Sequence, residues 1–173
     1  MKINVARELR FIGDKNSAHF TENIENIEYY GRLVEFAAPA DIDVEYSCDG
    51  ESVRVWGRFV SKLKSECALC LKEFVEPFEF EFDESFVTAK RDEDDEAYLF
   101  EGDVIDISTM IIDNILINMP LRSVCSQDCK GLCPICGCNL NYTQCSCDTG
   151  ESNNEQHNPL SLLGQLLTDG EEV

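Results

Sequence analysis

Basic residues are scarce: 14 lysines and arginines stand against 34 aspartates and glutamates in 173 residues, a formal net charge of −20. That deficit opposes a broad grip on RNA or DNA, because nucleic-acid affinity comes largely from Lys and Arg displacing phosphate counterions. The same field attracts basic partners. Long apolar runs are missing as well. Nothing approaches the roughly 18 consecutive apolar residues of a membrane span, and the start, MKINVARELRFIGD, holds no apolar stretch of signal-peptide length. The expectation is a soluble, cytoplasmic chain without contact to membranes. Histidine is nearly absent: His19 and His157 both sit in polar surroundings, without the apolar pocket or paired carboxylate of a tuned base. There is no phosphate-binding glycine loop, no Gly-x-Ser-x-Gly elbow and no metalloprotease helix. The residues therefore predict a protein that is not an enzyme, and no internal sequence repeat is present.

What the chain does hold is enough apolar material for a core, 43% hydrophobic and 9% aromatic residues. Its length suits one domain with a small appendage. In 41–46, Ile42, Val44 and Tyr46 alternate with Asp41, Asp43 and Glu45, the period of a half-buried strand. Asp49-Gly50 predicts a tight hairpin turn with both residues central. Beyond it, 53–65 sets Val53, Val55, Phe59 and Leu63 on one face and Arg54, Trp56, Arg58, Val60, Lys62 and Lys64 on the other. In 74–83, Phe74, Glu76, Phe78, Phe80 and Phe82 oppose Glu79, Glu81 and Asp83. Paired, these two strands bury one face and set basic against acidic side chains on the other. Ile107, Met110, Ile111, Ile115 and Met119 recur at helical spacing, with Asp106 placed to cap and Pro120 to stop a helix. The predicted fold class is α+β: an antiparallel β-sheet or partly open barrel with one main helix and a small C-terminal zinc-binding module. The expected regions are a β-rich domain over 1–122 with the helix near 106–119, a cysteine-rich zinc module over 123–148, and a polar linker with a short C-terminal helix over 149–173. In that last helix Leu160, Leu163 and Leu167 share a face.

Two surface features compete for a partner. Residues 72–106 carry 14 acidic and 3 basic side chains, a net of −11, including the run Asp92, Glu93, Asp94, Asp95 and Glu96. Such a run is foremost a solvated loop and, functionally, a docking surface for a basic protein. Against it stands the strip Arg54, Trp56, Arg58, Lys62 and Lys64, basic with a stackable aromatic, as RNA-contacting surfaces are. The bland reading of the strip is cross-strand pairing with Glu79, Glu81 and Asp83.

Seven of the ten cysteines fall within 125–147. In a reducing compartment such clustering points to metal rather than disulfides, with zinc ahead of an iron-sulfur cluster. In Cys133-Pro134-Ile135-Cys136-Gly137 two thiolates two residues apart grip one ion, and Gly137 permits a positive φ after the second. Cys145 and Cys147 complete a four-thiolate set with Cys133 and Cys136, the preferred zinc site. A competing set is Cys125, Cys129, Cys133 and Cys136. Cys67 and Cys70 fall where the basic-face strand turns into the acidic-face strand, and with Cys125 and Cys129 they form a second four-thiolate site. One ion is expected and a second is allowed. Four thiolates leave no open position for water, so the metal is structural. The alternative use of Cys67 and Cys70 is as a redox dithiol.

Cys67-Ala-Leu-Cys70-Leu71, an acidic stretch, Asp106 before an Ile-rich segment ending Met119-Pro120-Leu121, then Gly131-Leu132-Cys133-Pro134 and Asn139-Leu140-Asn141 follow one another in an order that resembles the YceD family. The resemblance runs from about residue 20 to the C-terminus and is most specific over 67–72 and 103–147. The ending Asn158-Pro159-Leu160 is similar too, with Leu160 where an Arg commonly follows the Pro. Proteins of that family are linked to accumulation of large-subunit ribosomal RNA, and their genes often neighbour that of a small basic ribosomal protein. The resemblance implies a ribosome-assembly or rRNA-processing role, and members without the later cysteines imply that the metal braces a subset. The combined expectation is an acidic, non-enzymatic factor that binds a basic ribosomal or rRNA-processing protein. The alternatives are a thiol redox protein using Cys67 and Cys70 and a zinc-dependent RNA-binding module.

Overall fold

The computed structural model describes residues 1–29, 31–89 and 97–147. The acidic run Asp92, Glu93, Asp94 and Asp95, with Glu96, and the expected linker and helix of 149–173 lie outside them. The chain divides into two units, Met1–Cys129 and Lys130–Val173. Residues 123–129, which the sequence groups with the later cysteines, thus fall in the first unit.

In chain order the elements are β1 (Lys2–Asn4), β2 (Lys15–Glu22), β3 (Ile27–Tyr29), β4 (Arg32–Phe36), β5 (Ala40–Cys48), β6 (Ser52–Glu66), β7 (Glu73–Val87), β8 (Tyr98–Leu99), β9 (Val104–Asp106) and α1 (Ser108–Asn118). The first unit is built on the β6–β7 hairpin, whose antiparallel register runs unbroken from Ser52↔Val87 to Glu66↔Glu73. Its alternation buries Val53, Val55, Phe59 and Leu63 of β6 with Phe78, Phe80, Phe82 and Phe86 of β7. Phe59 and Phe80, directly opposite, stack at 4.8 Å with an interplanar angle of 11°. Because β7 occupies one edge of β6 along its whole length, β5 and β4 share the other: β5 pairs with Val53 to Val60 and β4 with Leu63 and Lys64. β2 flanks β5, β3 flanks β4, and β8 adds a short parallel strand to β7.

Among the described residues β2 and β8 do not meet, so the antiparallel sheet of the expectation is open and does not close into a barrel. A separate two-stranded sheet, β1 with β9, and the helix α1 contribute Ile3, Val5, Ile105, Ile107, Met110, Ile111 and Ile115 to the same core. No helix among the described residues is long and apolar enough to cross a membrane.

Two local expectations change. The β5–β6 turn centres on Gly50 and Glu51, because the Asp49 N–H already donates to Ser52 O at 3.1 Å. Gly50 alone of that pair takes a positive φ, +99°, as at the first central position of a type II′ turn. The Asp49 carboxylate is freed to accept the N–H groups of Glu51 and Ser52 at 2.9 and 2.7 Å, which hold it below the usual carboxylate range. Nor does Asp106 cap α1. Its carboxylate accepts the Ser108 N–H at 3.0 Å, one residue too early, and Ile107 occupies the cap position without a side-chain bond. Pro120 does stop the helix, since the residue before proline is pushed to extended backbone and Met119 has ψ 135°.

Gly57 marks the tightest point of the sheet. A Cβ there would lie 1.9 Å from the Asp43 carbonyl oxygen and 2.9 Å from Phe82 Cζ. Gly57→Ala should therefore force β5 away from β6 and cost on the order of 1–3 kcal/mol in chemical denaturation. An unchanged denaturation midpoint would contradict the close approach.

Candidate metal centres and the charged sheet face

The β6–β7 connection is a knuckle. Cys67 N–H donates to Lys72 O at 2.9 Å and Leu71 N–H donates to Cys67 O at 2.9 Å, with Leu71 at φ +58°. Cys133 is built the same way: its N–H donates to Cys138 O at 2.8 Å, Gly137 N–H donates to Cys133 O at 2.9 Å, and Gly137 has φ +73°. In each loop the first sulfur accepts the N–H groups two and three residues on, Leu69 and Cys70 in one, Ile135 and Cys136 in the other.

Each knuckle gathers two further sulfurs. Cys67, Cys70, Cys125 and Cys129 lie within 4.8 Å of one another, and so do Cys133, Cys136, Cys145 and Cys147. The structure thus divides the competing set, with Cys125 and Cys129 in the first cluster and Cys133 and Cys136 in the second. In the first, Cys67 Sγ is 3.8 Å from Cys129 Sγ and Cys70 Sγ is 3.7 Å from Cys125 Sγ. A tetrahedral ion with metal–sulfur bonds of about 2.3 Å has sulfur–sulfur edges of about 3.8 Å, whereas a disulfide needs about 2.0 Å. The donor set fits a thiophilic divalent ion.

Ionisation within the clusters is uneven. The Cys125 N–H, with those of Cys70 and Leu69, holds the Cys67 thiol down to about 6, and the N–H groups of Cys136 and Ile135 hold Cys133 at about 6. Burial pushes Cys125 up to about 12, and the neighbouring Cys136 pushes Cys138 and Cys147 up to about 12. Crowded thiolates repel, and a divalent cation is what lets four of them ionise together.

The first cluster has supports that the sequence does not signal. Ala68 N–H donates to Ser123 O at 2.9 Å, while Ser65 and Ser123 hydroxyls both donate to Glu76 Oε1 at 2.6 Å. In the second, Asn139 and Asn141 act through their amides: Asn139 Oδ1 accepts the Asn141 N–H at 3.0 Å, and Asn141 Oδ1 accepts the Lys130 N–H at 2.9 Å. Of the remaining cysteines, Cys48 is buried in β5 and Cys138 sits beside the second cluster.

The outer face of the sheet carries charge in rows. β5 presents Asp41, Asp43 and Glu45, β6 presents Arg54, Trp56 and Arg58, and β7 presents Glu79, Glu81 and Asp83. Arg54 forms a two-pronged pair with Asp83, its Nε donating to Oδ1 at 2.7 Å, and this pair holds Asp83 below the usual carboxylate range. Arg58 donates to Glu79 at 2.5 Å and Trp56 Nε1 to Glu45 at 2.9 Å. Arg54, Trp56 and Arg58 of the proposed RNA strip are therefore engaged within the sheet. Lys62 and Lys64 lie further along the exposed face, with no ion pair among the described residues.

Residues 55–167 match the family described as Large ribosomal RNA subunit accumulation protein YceD. An uncharacterized protein of Mycobacterium tuberculosis is 31% identical over 109 residues, covering 60% of this chain and 53% of that protein, so the chain spans about half the length of its mycobacterial relatives. The chloroplastic large ribosomal RNA subunit accumulation protein YCED homolog 1 of Arabidopsis thaliana is 34% identical over 67 residues, 39% of this chain and 21% of that protein. Uncharacterized protein YlbN of Bacillus subtilis is 28% identical over 125 residues, 69% of this chain and 73% of that protein. No solved structure matches.

Cys70→Ser and Cys136→Ser are each expected to lose the ion of their own cluster and keep the other's, read by native mass spectrometry. Stripping metal with a chelator should lower the unfolding temperature by on the order of 10 °C. Loss of both ions from either single variant would mean that the clusters do not bind independently.

Proposed function

The chain belongs to the YceD family, and from that premise we propose that it is a non-enzymatic, cytoplasmic factor supporting large-subunit ribosomal RNA accumulation, acting by binding a basic ribosomal or rRNA-processing protein. The observation that carries this reading is the outer face of the sheet, where six carboxylates on β5 and β7 flank a β6 row whose arginines are already spent on two of them. A surface of that sign attracts cationic protein and repels phosphate, in keeping with the net charge of −20. Zinc is the proposed ion in both clusters, closing four thiolates around it and bracing the loops structurally.

The same features weigh against the two other readings. Cys67 and Cys70 stand among four converging sulfurs and not as an isolated dithiol. Direct RNA contact through Arg54, Trp56 and Arg58 would first have to break their bonds to Asp83, Glu45 and Glu79.

Depletion of the protein should lower large-subunit rRNA relative to small-subunit rRNA. Wild type should restore it, whereas a chain with Glu81→Lys and Asp43→Lys should restore it poorly, since both side chains are exposed on the acidic face. Pull-down of the basic partner should weaken by about tenfold or more between low and physiological salt. Salt-insensitive association, or full rescue by the charge-reversed chain, would count decisively against this mechanism.

A further inference from the structure

The strand β2, Lys15–Glu22, is paired on one side only. Its partner is β5, in register from Lys15↔Ser47 to Glu22↔Ala40, and no described strand lies on its other edge. Asn16 is tied down by its amide, which donates to the buried Glu8 at 3.0 Å, but from Ser17 onward only Ala18 and Phe20 are even half-buried. Alternate residues of such a strand direct N–H and C=O groups away from the sheet, a template for another extended chain. Natural sheets blunt edges of this length with a bulge, a proline or an inward charge; KNSAHFTE has no proline and an unbroken register, and the charge on its inward face, Glu22, stands only at the strand's last position.

The charge rows say what kind of chain fits. On the outer face β2 contributes Ser17, His19 and Thr21, directly beside Glu45, Asp43 and Asp41 of β5. His19 Nδ1 lies 2.8 Å from Asp43 Oδ1, and the Thr21 hydroxyl donates to Asp41 at 2.9 Å. Further in comes the basic row of β6 and then the acidic row of β7. A cavity of about 750 Å³ opens over these rows, bounded by Ser17, His19, Glu45, Trp56, Arg58 and Glu81. Glu81 has no ion-pair partner among the described residues, because Arg58 opposite it turns to Glu79. A strand added to β2 would lie two strand spacings, about 10 Å, from the β5 carboxylates, with Ser17, His19 and Thr21 of β2 between. Lysine and arginine reach across that distance and shorter side chains do not.

We propose that the free edge of β2 is a docking strand for an extended segment of a protein partner carrying Lys or Arg at alternate positions. The segment pairs its main chain with β2 and lays its cations over the carboxylates of β5. A second copy of this chain is a poor occupant, since two molecules of net charge −20 repel. The inference rests on the basic-partner reading above and deepens it by naming the partner's conformation and its place of contact.

The test uses the full metal-loaded chain and, as probe, an end-capped decapeptide of alternating Lys and Thr, with amide hydrogen exchange followed by NMR. Exchange at β2 residues 17–22 should slow by about tenfold with the peptide bound. A peptide N-methylated at alternate residues, which keeps the charge and removes the donors, should leave β2 exchange unchanged. Asp43→Lys should weaken binding of the unmodified peptide by about tenfold. If both peptides bind equally with β2 exchange unaltered, the edge proposal fails while a basic partner on the acidic face stands. If neither binds, both fall. Protection of β2 that rises with protein concentration and no peptide would overturn the proposal in favour of self-association.

Discussion

The antiparallel register of β6 against β7 is the constraint on which the rest of the first unit depends. Side chains in a strand alternate with a period of two, so a slip of β7 by one residue against β6 would expose Phe80 and Phe82 and bury Glu79 and Glu81. Both ends of β6 are pinned to a neighbour by a turn. At one end the type II′ turn sets β5 against β6; at the other the Cys67 knuckle closes the ladder with its own bond from Cys67 N–H to Lys72 O. The knuckle in turn decides where the chain goes after α1, because Cys125 and Cys129 converge on it and Ser123 bonds to both Ala68 and Glu76. One hairpin therefore organises the charged face along its length and the first sulfur cluster at its tip.

The parts of this fold that were legible in the sequence are those where one physical signal dominates. Alternation in 41–46, 53–65 and 74–83 marks β5, β6 and β7 because one face is buried and the other wet. The helix appears because Ile107, Met110, Ile111 and Ile115 recur at its period and Pro120 ends it. What stayed hidden depends on distant partners. β2 is mostly polar, and its strand character comes from pairing with β5, not from a buried face of its own. β1 and β9 are short strands about a hundred residues apart. Both cysteine groupings were among those the sequence offers: Cys133 and Cys136 with Cys145 and Cys147 follows from spacing, while Cys67 and Cys70 with Cys125 and Cys129, open in the sequence as an allowed second site, rests on where α1 delivers the chain.

The two knuckles share a construction that composition conceals. Both close with a bond from the N–H of the fifth residue to the carbonyl of the first, and both need left-handed backbone at that fifth residue. Gly137 adopts it freely. Leu71 does so against a penalty of about 1–2 kcal/mol and leaves its side chain largely exposed. The conformation is held by the sulfur-directed N–H groups and the flanking ladder, so the geometry of four converging thiolates overrides local preference. Sequence comparison of the two loops sees only Cys-x-x-Cys, because their identity lies in backbone bonds.

The basic row of β6 shows how the sign of a surface can mislead when read strand by strand. Arg54 and Arg58 look like an RNA-facing strip in isolation, yet each sits between acidic rows contributed by strands it pairs with. Exposed pairs of this kind add little stability, typically below about 1 kcal/mol. What they do is fix position. They hold Asp83 and Glu79 in place and, with Trp56 bonded to Glu45, keep the carboxylates of β5 and β7 in ordered rows. Two arginines neutralise two of six carboxylates, so the face keeps its negative sign while gaining a defined spacing. Cationic side chains presented at strand periodicity can match that spacing, whereas a phosphate backbone meets the unneutralised carboxylates first.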